Sequence, residues 1–92
     1  MSEVAIHKNV TYWFKTYANP GITDQRAVET FMDCESAEGA SGLRAELQAI
    51  RSGNYREQSL DLIMGAGRRM KYGSYEEWAR MMLMWMGNYK PY

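Results

Sequence analysis

Residues 74–87 read Ser-Tyr-Glu-Glu-Trp-Ala-Arg-Met-Met-Leu-Met-Trp-Met-Gly, and they decide the fold class. Ser74 followed by Glu77 has the spacing of a capping box: the hydroxyl accepts from the third helical amide and the carboxylate reaches back. Glu76 and Glu77 sit where the helix dipole favours anions. Trp78, Met81, Met82 and Trp85 then recur at i, i+3, i+4 and i+7, one face of an α-helix, and Gly87 is a natural stop. Met84 and Met86 extend the apolar surface beyond that stripe. Such a helix either forms the buried centre of a bundle or turns part of its circumference towards a partner.

Outward from this segment the same grammar recurs. Asn54 with Glu57 has the spacing of a second cap, and Leu60, Ile63, Met64, Gly67 and Met70 make a stripe ending near Gly73. Leu43, Leu47 and Ile50 form a shorter stripe, with Ser41 as its cap and Gly53 as its end. Thr23 and Asp24 open a segment carrying Ala27, Phe31 and Cys34 on one face. Asn19-Pro20-Gly21 breaks the chain before it. Ile6, Val10, Trp13, Phe14 and Tyr17 fit a helix, although Val10–Phe14 is also rich in strand formers. A helix is favoured there because no partner strand is evident elsewhere. The expectation is one all-α domain spanning 1–92, a compact bundle of four to five short helices at about 4–18, 23–35, 41–52, 55–72 and 75–87. Its core would centre on Trp13, Phe31, Leu47, Ile63, Trp78, Met82 and Trp85, with a flexible tail from about 88.

Composition narrows the classes of function. The 92 residues are 46% hydrophobic and 24% charged, too apolar for a wholly disordered chain and enough for a modest core. No run approaches the length of a membrane span, and Met1–Lys8 has no apolar leader segment, so a cytoplasmic protein is expected. A single cysteine, Cys34, makes no internal disulfide and no cysteine-based zinc site. Formal charge sums to zero but unevenly. Residues 1–46 carry four basic against seven acidic side chains, and residues 47–92 carry seven against four. Such a chain can dock its halves, or two copies, by charge.

Catalytic constellations are weak. The single histidine, His7, has no evident link to Cys34, which reads as a small buried thiol. Glu29, Asp33, Glu35 and Glu38 lack the spacing of a calcium loop and read as a solvated acidic face. Met64-Gly65-Ala66-Gly67-Arg68-Arg69 lacks both the dinucleotide fingerprint and the P-loop Lys-Ser/Thr; its glycines suggest close packing or a kink. No catalytic residue, metal or cofactor is therefore assigned.

Two binding readings remain. Arg68, Arg69 and Lys71, beside Tyr72 and Tyr75, could neutralise phosphates and stack on bases, which makes a nucleic-acid module the second choice. The first choice is a non-enzymatic protein-interaction module. Met84, Met86, Tyr89 and Tyr92 would bury into another protein or complex, or into a second copy as a homodimer. Arg68, Arg69 and Lys71 would steer an acidic partner.

The build of the whole chain, ending in Gly73-Ser74-Tyr75-Glu76-Glu77-Trp78 through Trp85 and a Tyr-rich tail, resembles small accessory proteins of bacteriophages and mobile elements. That class includes stoichiometric inhibitors of bacterial enzymes and defence complexes, such as anti-CRISPR proteins. The resemblance implies binding of a host macromolecule rather than catalysis, and a place in the host cytoplasm. It carries no functional residue over.

Overall fold

A computed structural model describes residues 7–89 of the chain. These form α1 (Lys8–Thr16), α2 (Asp24–Cys34), α3 (Ala37–Arg51), α4 (Glu57–Met64), α5 (Gly67–Tyr72) and α6 (Tyr75–Asn88), with no strand among them. The all-helical expectation therefore stands, and Val10–Phe14 is helix, not strand. Asn88, where the tail is expected to begin, is still in α6, and residues 90–92, including Tyr92, lie outside the described residues. The Cα radius of gyration, 12.2 Å, is that of one folded unit of this length.

Side-chain caps start three of the helices. Thr23 accepts from the Arg26 amide (3.2 Å), Ser36 from Gly39 (3.2 Å) and Ser74 from Glu77 (3.1 Å). The Ser74 box is made in its forward half, while the Glu77 carboxylate bonds the Arg80 guanidinium at 2.9 Å. Ser36, not Ser41, caps α3, so Gly39 and Gly42 lie inside that helix. Gly42 has a packing reason to be there: a Cβ on it would sit 3.0 Å from the Asn9 side chain. Asn9 and Glu46 form the joint between α1 and α3. The Glu46 carboxylate, projecting from α3, accepts the backbone N–H groups of Asn9 and Val10 at 2.9–3.0 Å, as well as the Asn9 side-chain amide. The first turn of α1 is thus capped from another helix.

Asn54 ends a helix instead of starting one. Its N–H bonds the Ala49 carbonyl (2.8 Å), and the N–H of Gly53 bonds that of Ile50 (3.0 Å). With Gly53 at φ 86° this is a Schellman motif closing α3. Arg56, without a side-chain cap, precedes α4.

The continuous helix expected over 55–72 is two helices, divided at Gly65. Its φ of 81° and ψ of 163° lie in a region open in practice only to glycine. The break rotates the downstream residues off the α4 stripe. Leu60 and Met64 stay buried, Ile63 is half-buried, and Met70 turns outward. Gly65→Ala should therefore cost about 1–3 kcal/mol in urea denaturation. Gly67→Ala should cost little, because nothing lies within 4 Å of where its Cβ would stand and its backbone is helical. Equal midpoints for the two variants would refute the assignment of the break to Gly65.

Helix α6 is the axis of the bundle and packs on α2, α3 and α5, most extensively on α3; α1 packs on α2, α3 and α4. Tyr75, Trp78, Ala79, Met82 and Met86 are its buried residues. At 3.6 residues per turn they fall within an arc of about 100°. This face is rotated relative to the expected Trp78–Trp85 stripe. Small Ala79 lets a neighbour approach, Met86 enters the core, and Trp85 and Met81 move to its half-exposed margin. Trp13, Phe31, Leu43, Leu47, Ile50 and Leu60 complete the interior.

Candidate partner-binding surface

The residues singled out for binding do not form one surface. Met86 is 2% exposed and Tyr75 fully buried, so neither meets a partner while the bundle is closed. Met84, on the opposite side of α6, is exposed. Tyr89 is half-buried, and its hydroxyl donates to Asp33 at 2.6 Å, fastening the end of α6 to α2.

The basic cluster is dispersed by ion pairing. Arg68 reaches back to Asp24 at the start of α2, with Nε 2.8 Å and Nη2 2.6 Å from the two carboxylate oxygens. Asp24 also accepts the Trp78 indole N–H at 2.9 Å. The guanidinium lies over Phe14 (5.1 Å to the ring centroid) and Trp13 (5.8 Å). Arg69 pairs with Asp61 at 3.0 Å, and Asp61 in turn accepts the Tyr75 hydroxyl. Tyr75 also bonds the Gly65 carbonyl at 3.2 Å, holding the elbow between α4 and α5. Lys71 is exposed, with its ammonium 5.4 Å from the Tyr72 ring centroid; among the described residues it meets no carboxylate. Two of the three clustered cations thus already hold a carboxylate within the fold, which leaves too few unpaired charges in a row for the several phosphate contacts the nucleic-acid reading needs.

Other candidates for chemistry are placed as follows. His7 is buried at the start of α1, whereas Cys34 is exposed at the end of α2, so the expectation of a buried thiol fails. The acidic face is partly engaged. Glu35 accepts the Tyr12 hydroxyl at 2.9 Å and also that of Tyr17. Among the described residues no group of three or more His, Cys, Asp or Glu is placed to hold a metal ion.

These tyrosine–carboxylate contacts set an alkaline limit. Burial and the bond to Glu76 push the Tyr55 hydroxyl up to about 12, and the bond to Asp33 pushes Tyr89 up to about 12. Tyr75 is raised by burial and by Asp61, and Tyr17 by Glu35. A group whose folded pKa is raised contributes stability below its unfolded value, near 10 for tyrosine, and loses it as pH climbs through the folded value. The melting temperature should therefore hold up to about pH 10 and then fall. Tyr55→Phe and Tyr89→Phe should each lessen that fall; unchanged alkaline curves would show that these contacts do not carry it.

The most exposed apolar side chains lie on α4 and α5. Leu62 is 82% exposed and Met70 78%, one on each arm of the Gly65 elbow; Ile22, in the turn before α2, is 42% exposed. Between α5 and the start of α2 lies an open groove of about 260 Å³, lined by Ile22, Thr23, Asp24, Met64, Gly67, Arg68 and Lys71. Sequence reasoning missed Leu62 and Ile22 and assigned Met70 to the core stripe. The available signal was that Leu62 sits out of phase with Leu60, Ile63 and Met64. No protein-family description, curated protein or solved structure matches the chain.

Proposed function

We propose that the chain is a non-enzymatic protein-interaction module whose contact surface is the α4–α5 corner, not the end of α6. The observation that carries this is the exposure of Leu62 and Met70 in a small domain whose other long aliphatic side chains are mostly buried. Apolar side chains presented on short, well-braced helices are suited to filling pockets on a partner. A stoichiometric inhibitor of a host complex is one form such a module takes, and the resemblance drawn from the sequence extends the proposal to that form.

The test is affinity capture from native lysate with and without nuclease, using the wild type, Leu62→Glu, Met70→Glu and Met84→Glu. These positions are exposed, so each variant should fold within about 0.5 kcal/mol of the wild type. Leu62→Glu and Met70→Glu should each lower recovery of a nuclease-resistant protein partner about tenfold or more. Retention of the partner by both would refute the surface, and nuclease-sensitive capture would favour nucleic acid. Light scattering of the wild type decides whether the partner is a second copy.

A further inference from the structure

We infer that the groove between α5 and the start of α2 receives an acidic peptide segment of the partner protein, a carboxylate meeting Lys71 and the remaining Nη1 of Arg68 while an adjacent apolar side chain rests on Ile22 and Met64. This rests on the interaction-module reading and names the partner's chemistry.

Charge complementarity carries the inference. Arg68 and Lys71, at i and i+3, line the groove from α5, and Asp24 supplies its one carboxylate, so the lining has a net charge of one positive unit. Arg68 is also held in place. Asp24 takes its Nε and Nη2 atoms, two aromatic rings support its plane, and Nη1 makes no hydrogen bond among the described residues. A guanidinium fixed in this way spends little conformational entropy on accepting a carboxylate. Lys71, exposed, adds a second cation to the lining.

The remaining lining identifies the neighbour of that carboxylate. Ile22 and Met64 are apolar, and Ile22 is substantially exposed. A segment with alternating acidic and apolar residues satisfies both halves. A nucleic-acid strand does not fit as well. It needs several phosphate contacts in a row, and the neighbouring Arg69 is already paired with Asp61.

The test is an NMR titration of the full chain, labelled with nitrogen-15, with the peptide acetyl-Glu-Leu-Glu-Leu-Glu-amide. Its Gln-for-Glu counterpart and a ten-nucleotide oligothymidine are run in parallel. The acidic peptide should shift the amides of residues 22–24 and 64–71 in a saturable way and bind more weakly at high salt. Lys71→Glu and Lys71→Met should each weaken it about fivefold, and Ile22→Ser should weaken it comparably. Equal binding of the Gln peptide, tighter binding of the oligonucleotide to these residues, or shifts absent or elsewhere would overturn the inference. So would concentration-dependent broadening of the same amides without peptide, which would make a second copy the occupant. The two proposals fail separately. If Lys71→Glu keeps the native partner while Leu62→Glu loses it, the module stands and the groove falls. If the acidic peptide binds but Leu62→Glu and Met70→Glu keep the partner, the corner surface falls and the groove stands.

Discussion

Trp78→Ala should leave the protein barely folded in water. The Trp78 side chain is fully buried, its ring lies 6.1 Å from that of Trp13 and 6.2 Å from that of Tyr75, and its N–H serves the buried Asp24. Removing a core tryptophan costs about 3–5 kcal/mol through lost burial and the cavity left behind. Leaving Asp24 short of a donor adds about 1–2 kcal/mol. A domain of this length holds about 5–14 kcal/mol in total, so a loss of about 4–7 kcal/mol is a large fraction of its stability and nearly all of it at the low end of that range. Urea denaturation followed by circular dichroism should show a midpoint far below that of the wild type, or no folded baseline. Trp78→Phe, which keeps most of the volume but not the N–H, should fall between them. A Trp78→Ala midpoint close to the wild type would mean that α6 is not the axis of the core.

The Asp24–Arg68 pair should give the second largest effect, and its test is a double-mutant cycle. Asp24 is 7% exposed and the Arg68 side chain 19%. Arg68→Met keeps the apolar stem over Phe14 and Trp13 but strands the Asp24 carboxylate. Asp24→Leu strands the guanidinium and deprives the Trp78 N–H of its acceptor. Each single change should cost about 2–4 kcal/mol, because a half-removed buried pair leaves an uncompensated charge. The double variant should be more stable than the sum of the singles implies by about 1–3 kcal/mol. It should still fall short of the wild type, because Trp78 has lost its acceptor. Strict additivity in urea midpoints would show that the two groups do not depend on each other.

What could be read from the sequence was what is encoded within one helical turn. Ser74 and Thr23 stand immediately before apolar periodicity, and both cap where they were expected. Ser36 and Ser41 are both competent caps, and Gly39 between them disguises the start of α3; nothing local separates the two serines. Asn54 suits either end of a helix, and only its bond back to Ala49 assigns it to the end of α3. The glycines at 65 and 67 suggest close packing or a kink, yet the Leu60–Met70 stripe runs across them, and periodicity alone does not register a single residue with positive φ. The face of α6 was off by a small rotation, because Ala79 counts for little in an apolar pattern but decides which side packs. That rotation moved Met86 from candidate surface to core. The contacts that define the candidate site were not legible at all. Asp24 and Arg68 are 44 residues apart, and Tyr89 and Asp33 are 56 apart. Pairings across that distance exist only once the helices have packed.

The tyrosine–carboxylate contacts bear on how the protein responds to ionic strength. Tyr12 and Tyr17 to Glu35, Tyr55 to Glu76, Tyr75 to Asp61 and Tyr89 to Asp33 each tie one segment to another through an uncharged donor and an ionised acceptor. Dissolved ions screen attraction between separated opposite charges, but they weaken a short hydroxyl-to-carboxylate bond far less. These hydroxyl fastenings are therefore largely indifferent to salt, whereas an exposed cation such as Lys71 is fully subject to it. Raising the salt concentration can loosen a charge-steered encounter while leaving the scaffold that presents it intact.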